Sequence, residues 1–219
     1  MKHLIVRIFN MIFGIILYAL GIVVTIKANI GYAPWDVFQV GLANTVGISI
    51  GFSAIFVGIV IVIITVLLGE KIGLGTITNM ILIGVFIDII LYINIIPIPN
   101  NIIISILMLV AGLFIISIAT YFYIGSALGA GPRDSLMVVL TRKTKISVGI
   151  CRSIIELLAT IFGWMLGGMV GIGTIISVIG IGFCIQITFR ILHFDITSIQ
   201  HESLLDTLKF LNRKRDYEK

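Results

Sequence analysis

Six long apolar runs joined by short polar segments constrain this chain more than any other feature. They cover about residues 8–26, 52–68, 76–93, 102–124, 153–166 and 172–192. Most approach the ~20 residues that a helix rising about 1.5 Å per residue needs to cross a ~30 Å hydrocarbon core. Inside a bilayer no water satisfies backbone N–H and C=O groups, so segments of this kind are expected to be helical. The fifth run is the shortest, which predicts a helix starting nearer Ser147 and carrying Arg152 and Glu156 inward. Only 11% of residues are charged and 59% are hydrophobic, whereas about a quarter are charged in a soluble domain. The N-terminal Met1-Lys2-His3 to Arg7 precedes an apolar run too long for a cleaved signal core, and no small-residue cleavage site closes that run. It reads as an uncleaved first span.

Charge supplies the orientation. With the N-terminus in the cytoplasm and six alternating spans, fourteen of the fifteen Lys and Arg residues fall on one side and only Lys27 on the other. The positive-inside rule then places both termini in the cytoplasm. The basic balance is therefore a topology signal, and nothing in it points to nucleic acid. The tail at 199–219 places Leu204, Leu205, Leu208 and Leu211 ahead of Arg213-Lys214-Arg215. This pattern fits a basic amphipathic helix on an anionic leaflet or a solvated tail. Cys151 and Cys184 lack any paired spacing, and His3, His193 and His201 lack ligand spacing, so neither a metal nor a disulfide framework is expected.

Sliding the sequence against itself by 98 residues aligns 14–91 with 112–189 without a gap. Gly31-Tyr32-Ala33-Pro34-Trp35-Asp36 meets Gly129-Ala130-Gly131-Pro132-Arg133-Asp134. Ser49-Ile50-Gly51 meets Ser147-Val148-Gly149; Gly69, Gly73, Gly75 and Thr76 meet Gly167, Gly171, Gly173 and Thr174; Gly14 meets Gly112 and Gly84 meets Gly182. Two unrelated apolar sequences would match Ile with Leu, not this ordered set. Each copy holds three spans, an odd number, so the second copy must enter the membrane from the opposite side. The expected fold is thus an all-α membrane domain over 1–198, with two inverted three-helix repeats at about 8–93 and 102–192. Such repeats are common in secondary transporters, where exchanging the conformations of two similar halves exposes a central site to each side in turn.

After each Gly-x-x-Pro-x-Asp loop, anchored by Gly31 and Pro34 or by Gly129 and Pro132, comes a stretch of about 13 residues that looks helical. It reaches only ~20 Å, so it is expected to be re-entrant or interfacial. Proline suits the first helical turn, where its missing N–H goes unused, and Asp36 and Asp134 in that turn favour the positive dipole end. The competing reading makes each Asp a ligand for a cation, a proton or a basic substrate group at a broken-helix junction. Arg133, standing where the first copy has Trp35, can pair with Asp134 or attract anions. Gly73-x-Gly75-Thr76 and Gly171-x-Gly173-Thr174 precede apolar spans, and their threonines fit helix N-caps; an anion site there is the weaker alternative. Glycines inside spans, among them Gly14, Gly21, Gly84, Gly112 and Gly182, read as packing residues.

Polar side chains within the runs are few: Asn79 and Asp88 in the third, Arg152 and Glu156 in the fifth, Gln186 in the sixth. A charge at the bilayer centre costs at least ~2.5–3.5 kcal/mol, so these groups are expected to face the bundle interior or an aqueous cavity. Arg152 and Glu156, four apart, can neutralise each other. Asp88 aligns with neutral Gln186 and Glu156 with Gly58, so the interior polar groups differ between the halves. Asp88 also lies near the end of its span, where a solvated or snorkelling carboxylate competes with a binding role.

The Gly-Tyr-Ala-Pro-Trp-Asp stretch at 31–36, followed by Gly-x-x-x-Gly-x-Gly-Thr at 69–76, resembles the YczE/YyaS/YitT family of bacterial membrane proteins over residues 8–192. That resemblance implies a multi-pass protein of the bacterial plasma membrane and carries over no substrate or catalytic residue. The architecture itself points to a small secondary transporter or exporter of a small solute or ion. A non-transporting membrane module, either a regulatory or assembly partner or the substrate-binding subunit of a larger importer, is the alternative. Both leave room for a homo-oligomer or a membrane partner. An enzyme is not expected, since no His-Glu-x-x-His, activated nucleophile or paired catalytic carboxylate is present, and no phosphate-binding loop or other cofactor motif appears.

Overall fold

The computed structural model describes residues 2–70 and 72–194. The basic tail at 199–219 and Lys71 lie outside the described residues. Among those described, the chain is all-helical: α1 (Lys2–Lys27), α2 (Pro34–Val46), α3 (Ile50–Leu67), α4 (Leu74–Ile93), α5 (Ile102–Gly125), α6 (Pro132–Thr144), α7 (Val148–Met165) and α8 (Ile172–Ile191). Three pairs agree residue for residue at the 98-residue offset: α2 with α6 at 13 residues, α3 with α7 at 18, and α4 with α8 at 20. Five helical segments are long and apolar enough to cross a membrane: Leu4–Lys27, Ile50–Leu67, Leu74–Ile93, Ile102–Gly125 and Ile172–Ile191. α7 starts at Val148, as the short fifth run implied, and carries Arg152 and Glu156. α2 and α6, at ~20 Å, are too short to span.

The solvent this surface is built for is lipid. Phe52, Phe56, Ile63, Leu157, Phe162 and Phe183 are all exposed, an apolar belt that in water would be an interaction or aggregation surface. The interior instead holds small and hydroxylated residues. Ser117 and Thr65 are buried and donate to the carbonyls of Leu113 (2.8 Å) and Ile61 (2.7 Å) on their own helices, so each hydroxyl is satisfied locally.

The most extensive packing joins α1 to α5. A side chain at Gly21 would meet the Ile116 nitrogen at 3.0 Å and the Gly112 oxygen at 3.1 Å, and one at Gly112 would meet the Gly21 oxygen at 3.1 Å. The two helices therefore cross backbone to backbone. Ala19, Ile22 and Val23 of α1 continue the core onto Val40, Ile87 and Ile116, tying α2, α4 and α5 around it. At the other end, Arg7 donates to the carbonyls of Ser126 (2.7 Å) and Ala127 (3.2 Å), placing a cation on the negative end of α5.

The two recurring motifs, read separately in the sequence, meet each other across the halves. Gly75 N–H donates to Leu128 C=O at 2.7 Å and the Thr76 hydroxyl to Ala130 C=O at 2.6 Å; in the other half Gly173 N–H donates to Ile30 C=O at 2.8 Å. Each Gly-x-Gly-Thr turn thus docks on the Pro-Asp loop of the opposite copy. Gly31 (φ +118) and Gly129 (φ +136) face these turns in backbone conformations that favour glycine. A Cβ on Gly129 would sit 2.9 Å from Gly73 Cα. The threonines are not the N-caps expected from the sequence. Gly73 and Gly171 take the cap positions, and Thr76 and Thr174 lie at N3, where each hydroxyl accepts the cap residue's N–H at 3.2 Å. Of the N–H groups that an anion would need at these turns, those of Gly75 and Gly173 are turned onto carbonyls of the opposite copy and those of Gly73 and Gly171 onto threonine hydroxyls.

Packing is otherwise similar in the two copies, with one departure. α3 lies along α4, but α7 makes no comparable contact with α8 and leans on α2 instead.

Candidate functional site

The prolines start α2 and α6 as expected: Pro34 follows an N-cap at Ala33, Pro132 follows one at Gly131, and Asp36 and Asp134 fall in the first turns. These two helix starts approach each other from opposite copies. The Arg133 guanidinium lies over the Trp35 ring at 5.0 Å, so two repeat-equivalent residues of different chemistry meet. Arg133 is also the cation acting on the Asp36 carboxylate, which is buried behind this junction at 3% exposure.

A cavity of about 470 Å³ opens beside that junction, within the ~300–1,000 Å³ typical of small-molecule sites. The first copy supplies Trp35, Gln39 and Asn79, with an apolar wall of Val57, Gly58 and Met80; the second supplies Arg133, Asp134, Arg152 and Glu156. α1 and α5 add Tyr18 and Tyr123. Arg152 Nε donates to Glu156 Oε1 at 2.8 Å, the neutralising pair expected from their spacing. Tyr123 is 4% exposed, and its hydroxyl finds no hydrogen-bond partner among the described residues. A buried, unpaired phenol on a cavity wall is costly unless a ligand or water completes it.

Of the residues singled out from the sequence, the cavity gathers Asn79, Arg133, Asp134, Arg152 and Glu156, and Asp36 lies just behind it. Asp88 and Gln186 are elsewhere. Asp88 is neither snorkelling nor a cavity ligand: it accepts from Ser49 Oγ at 2.5 Å and from Gly51 N–H at 2.8 Å, fastening the start of α3 to the far end of α4. Gln186 is exposed on α8. Sequence reading missed Tyr18, Trp35, Gln39 and Tyr123. In an apolar run a tyrosine is indistinguishable from core, although Trp35 lies inside the Pro-Asp motif and Gln39 three residues past its aspartate, and both could have been included.

Fold and site together define a polytopic helical membrane protein with a cavity between two related halves, apolar except for a few converging polar groups. The chain belongs to the family of unknown function DUF6198, whose model matches residues 5–190. It is 36% identical over 175 residues to a Bacillus subtilis protein named "Uncharacterized membrane protein YczE", covering 79% of this chain and 80% of that one. It is 30% identical over 184 residues to an uncharacterized Haemophilus influenzae protein (82% and 84% covered). A second Bacillus subtilis relative, YyaS, is 28% identical over 169 residues (75% and 83% covered). No solved structure matches the chain.

Proposed function

We propose that this protein is a small secondary transporter of the plasma membrane. It moves a small polar solute by alternating access between two inverted three-helix repeats, with α7 as the sixth span and both termini cytoplasmic. The observation that carries the reading is the cavity itself. It lies where the short helices of the two copies converge and presents cations, carboxylates and an unpaired tyrosine hydroxyl within otherwise apolar walls. Half-helices starting at a mid-membrane site are the usual binding device of repeat-built transporters. Two arginines and two carboxylates line the cavity, so their formal charges cancel. A neutral or zwitterionic solute suits such a balance better than a multiply charged ion. The protein's groups bind and orient the solute, and no chemical step is assigned to them.

Trp35 on the wall makes the test direct. In a Trp164→Phe variant it is the only tryptophan left, and a solute entering the cavity should change its emission. The same solute should raise the melting temperature, by mass action on the folded state, and both responses should be lost in Asp134→Asn or Arg133→Gln. Counterflow in proteoliposomes then separates the readings. Uptake of the bound solute supports transport, whereas tight binding with no flux, or dependence on a co-purifying membrane protein, assigns the chain to a non-transporting module.

A further inference from the structure

The two copies keep the same glycines and serines at the contact between their second and third long helices, yet only one copy uses them. In the first copy α3 lies against α4 with Gly51 on the Gly84 carbonyl, and a side chain at Gly84 would strike Ile55 Cγ1 at 2.5 Å. Asp88 closes this contact by accepting from Ser49 Oγ and Gly51 N–H. In the second copy the equivalents are Gly149, Gly182, Ser147 and Gln186. A side chain at Gly149 or Gly182 would meet nothing within 4 Å. Ser147 makes no side-chain cap bond, and Gln186 lies exposed on an apolar helix. A primary amide facing lipid is unfavourable, and glycine in a helix with nothing packed on it costs about 1 kcal/mol relative to alanine for no return.

The two aspartates at the cavity differ in the same sense as the two helix contacts. Both copies line the cavity, with Val57 and Gly58 of α3 facing their equivalents Ile155 and Glu156 of α7, but Asp134 is exposed while its equivalent Asp36 is buried.

We infer that α3–α4 and α7–α8 are the two gates of the cavity, and that the structure holds the first closed and the second open. Closure swings α7 onto α8, brings Gly149 against Gly182, and turns the Gln186 side-chain carbonyl toward the Gly149 N–H and the Ser147 hydroxyl, as Asp88 is turned in the first copy. In the orientation proposed above, the open gate faces the cytoplasm. The meaning of the gates rests on the transporter reading, but the motion does not need a solute to be observed.

The test uses full-length protein in liposomes with Cys151→Ala and Cys184→Ala. Ser49→Cys with Asp88→Cys reports the closed gate, and Ser147→Cys with Gln186→Cys reports the open one, each challenged with a methanediyl bis-thiosulfonate cross-linker. Both pairs should cross-link within one chain, the second because α7 visits α8. Adding Gly182→Leu, which places a side chain in space now empty, should leave the first cross-link unchanged and lower the second by about tenfold or more, since it penalises only the closed state. The inference is overturned if the second pair stays free while the first reacts, if it links two chains, or if Gly182→Leu leaves it unaffected. A protein that cross-links as expected but moves no solute refutes transport and keeps the gate. One that transports without the second cross-link refutes the gate alone.

Discussion

Replacing Thr76 with valine tests the cross-copy docking at a single hydroxyl. Valine keeps the branched shape, so the change removes two hydrogen bonds and little else: the hydroxyl donates to Ala130 C=O at 2.6 Å and accepts from Gly73 N–H at 3.2 Å. Side-chain hydrogen bonds inside membrane proteins average ~0.6 kcal/mol and reach ~1.7, while a buried carbonyl left without a partner costs ~1–3 kcal/mol. The 2.6 Å bond belongs near the upper end and the 3.2 Å bond near the average, so Thr76→Val should cost about 2 kcal/mol, roughly thirtyfold in the folding equilibrium. Thr174 provides the internal comparison. Its hydroxyl accepts from Gly171 N–H at 3.2 Å, and no donation like that of Thr76 accompanies it. Thr174→Val should therefore cost about 1 kcal/mol or less, and Thr76→Ser, which retains the hydroxyl, should stay near wild type. Reversible unfolding in mixed micelles titrated with dodecyl sulfate measures all three. If Thr76→Val is as stable as wild type, or Thr174→Val is the more damaging, the docking does not hold the halves together as argued.

Gly21→Leu should prevent α1 and α5 from crossing, because even its Cβ would lie 2.6 Å from Ile116 Cγ1 with backbone close behind; a loss of monodisperse protein in size-exclusion chromatography checks this, and a well-behaved variant would contradict the crossing. Lys145→Gly should stabilise by about 0.5–1 kcal/mol, since Lys145 caps α6 at φ +58, where the first copy has Gly47 at φ +76; an unchanged or lower melting temperature would count against it. Arg152→Leu should destabilise more than Arg152→Leu combined with Glu156→Leu, because the single change strands the Glu156 carboxylate, whose side chain is only 18% exposed. Thermal unfolding of the two variants decides it, and equal losses would mean that the pair is solvated well enough to be irrelevant.

Much of the fold was legible because lipid leaves the backbone little choice. A long apolar segment has to satisfy its own N–H and C=O groups, so length and hydrophobicity alone place α1, α3, α4, α5 and α8 to within a few residues. The short helices were legible for an equally local reason: proline fixes the first turn, and the 13-residue limit follows from where the next apolar run begins. The 98-residue offset is a property of the sequence too, and the helix ends obey it.

What the sequence could not settle was which polar group meets which, because that depends on helix rotation and on contacts between residues far apart in the chain. Asp88 and Asp134 are both carboxylates near helix ends, yet one is bound by Ser49 and Gly51 and the other faces the cavity. Trp35 and Arg133 look like an unmatched pair in the alignment and turn out to lie one over the other. The two Gly-x-Gly-Thr turns read as local caps, but the N–H groups of Gly75 and Gly173 and the Thr76 hydroxyl are spent on the other copy's loop. Tyr123 became a site residue only when packing buried its hydroxyl against a cavity with nothing to bond to. Local backbone chemistry determined the helices; the close approach of two nearly equivalent halves decided which side chains face the space between them.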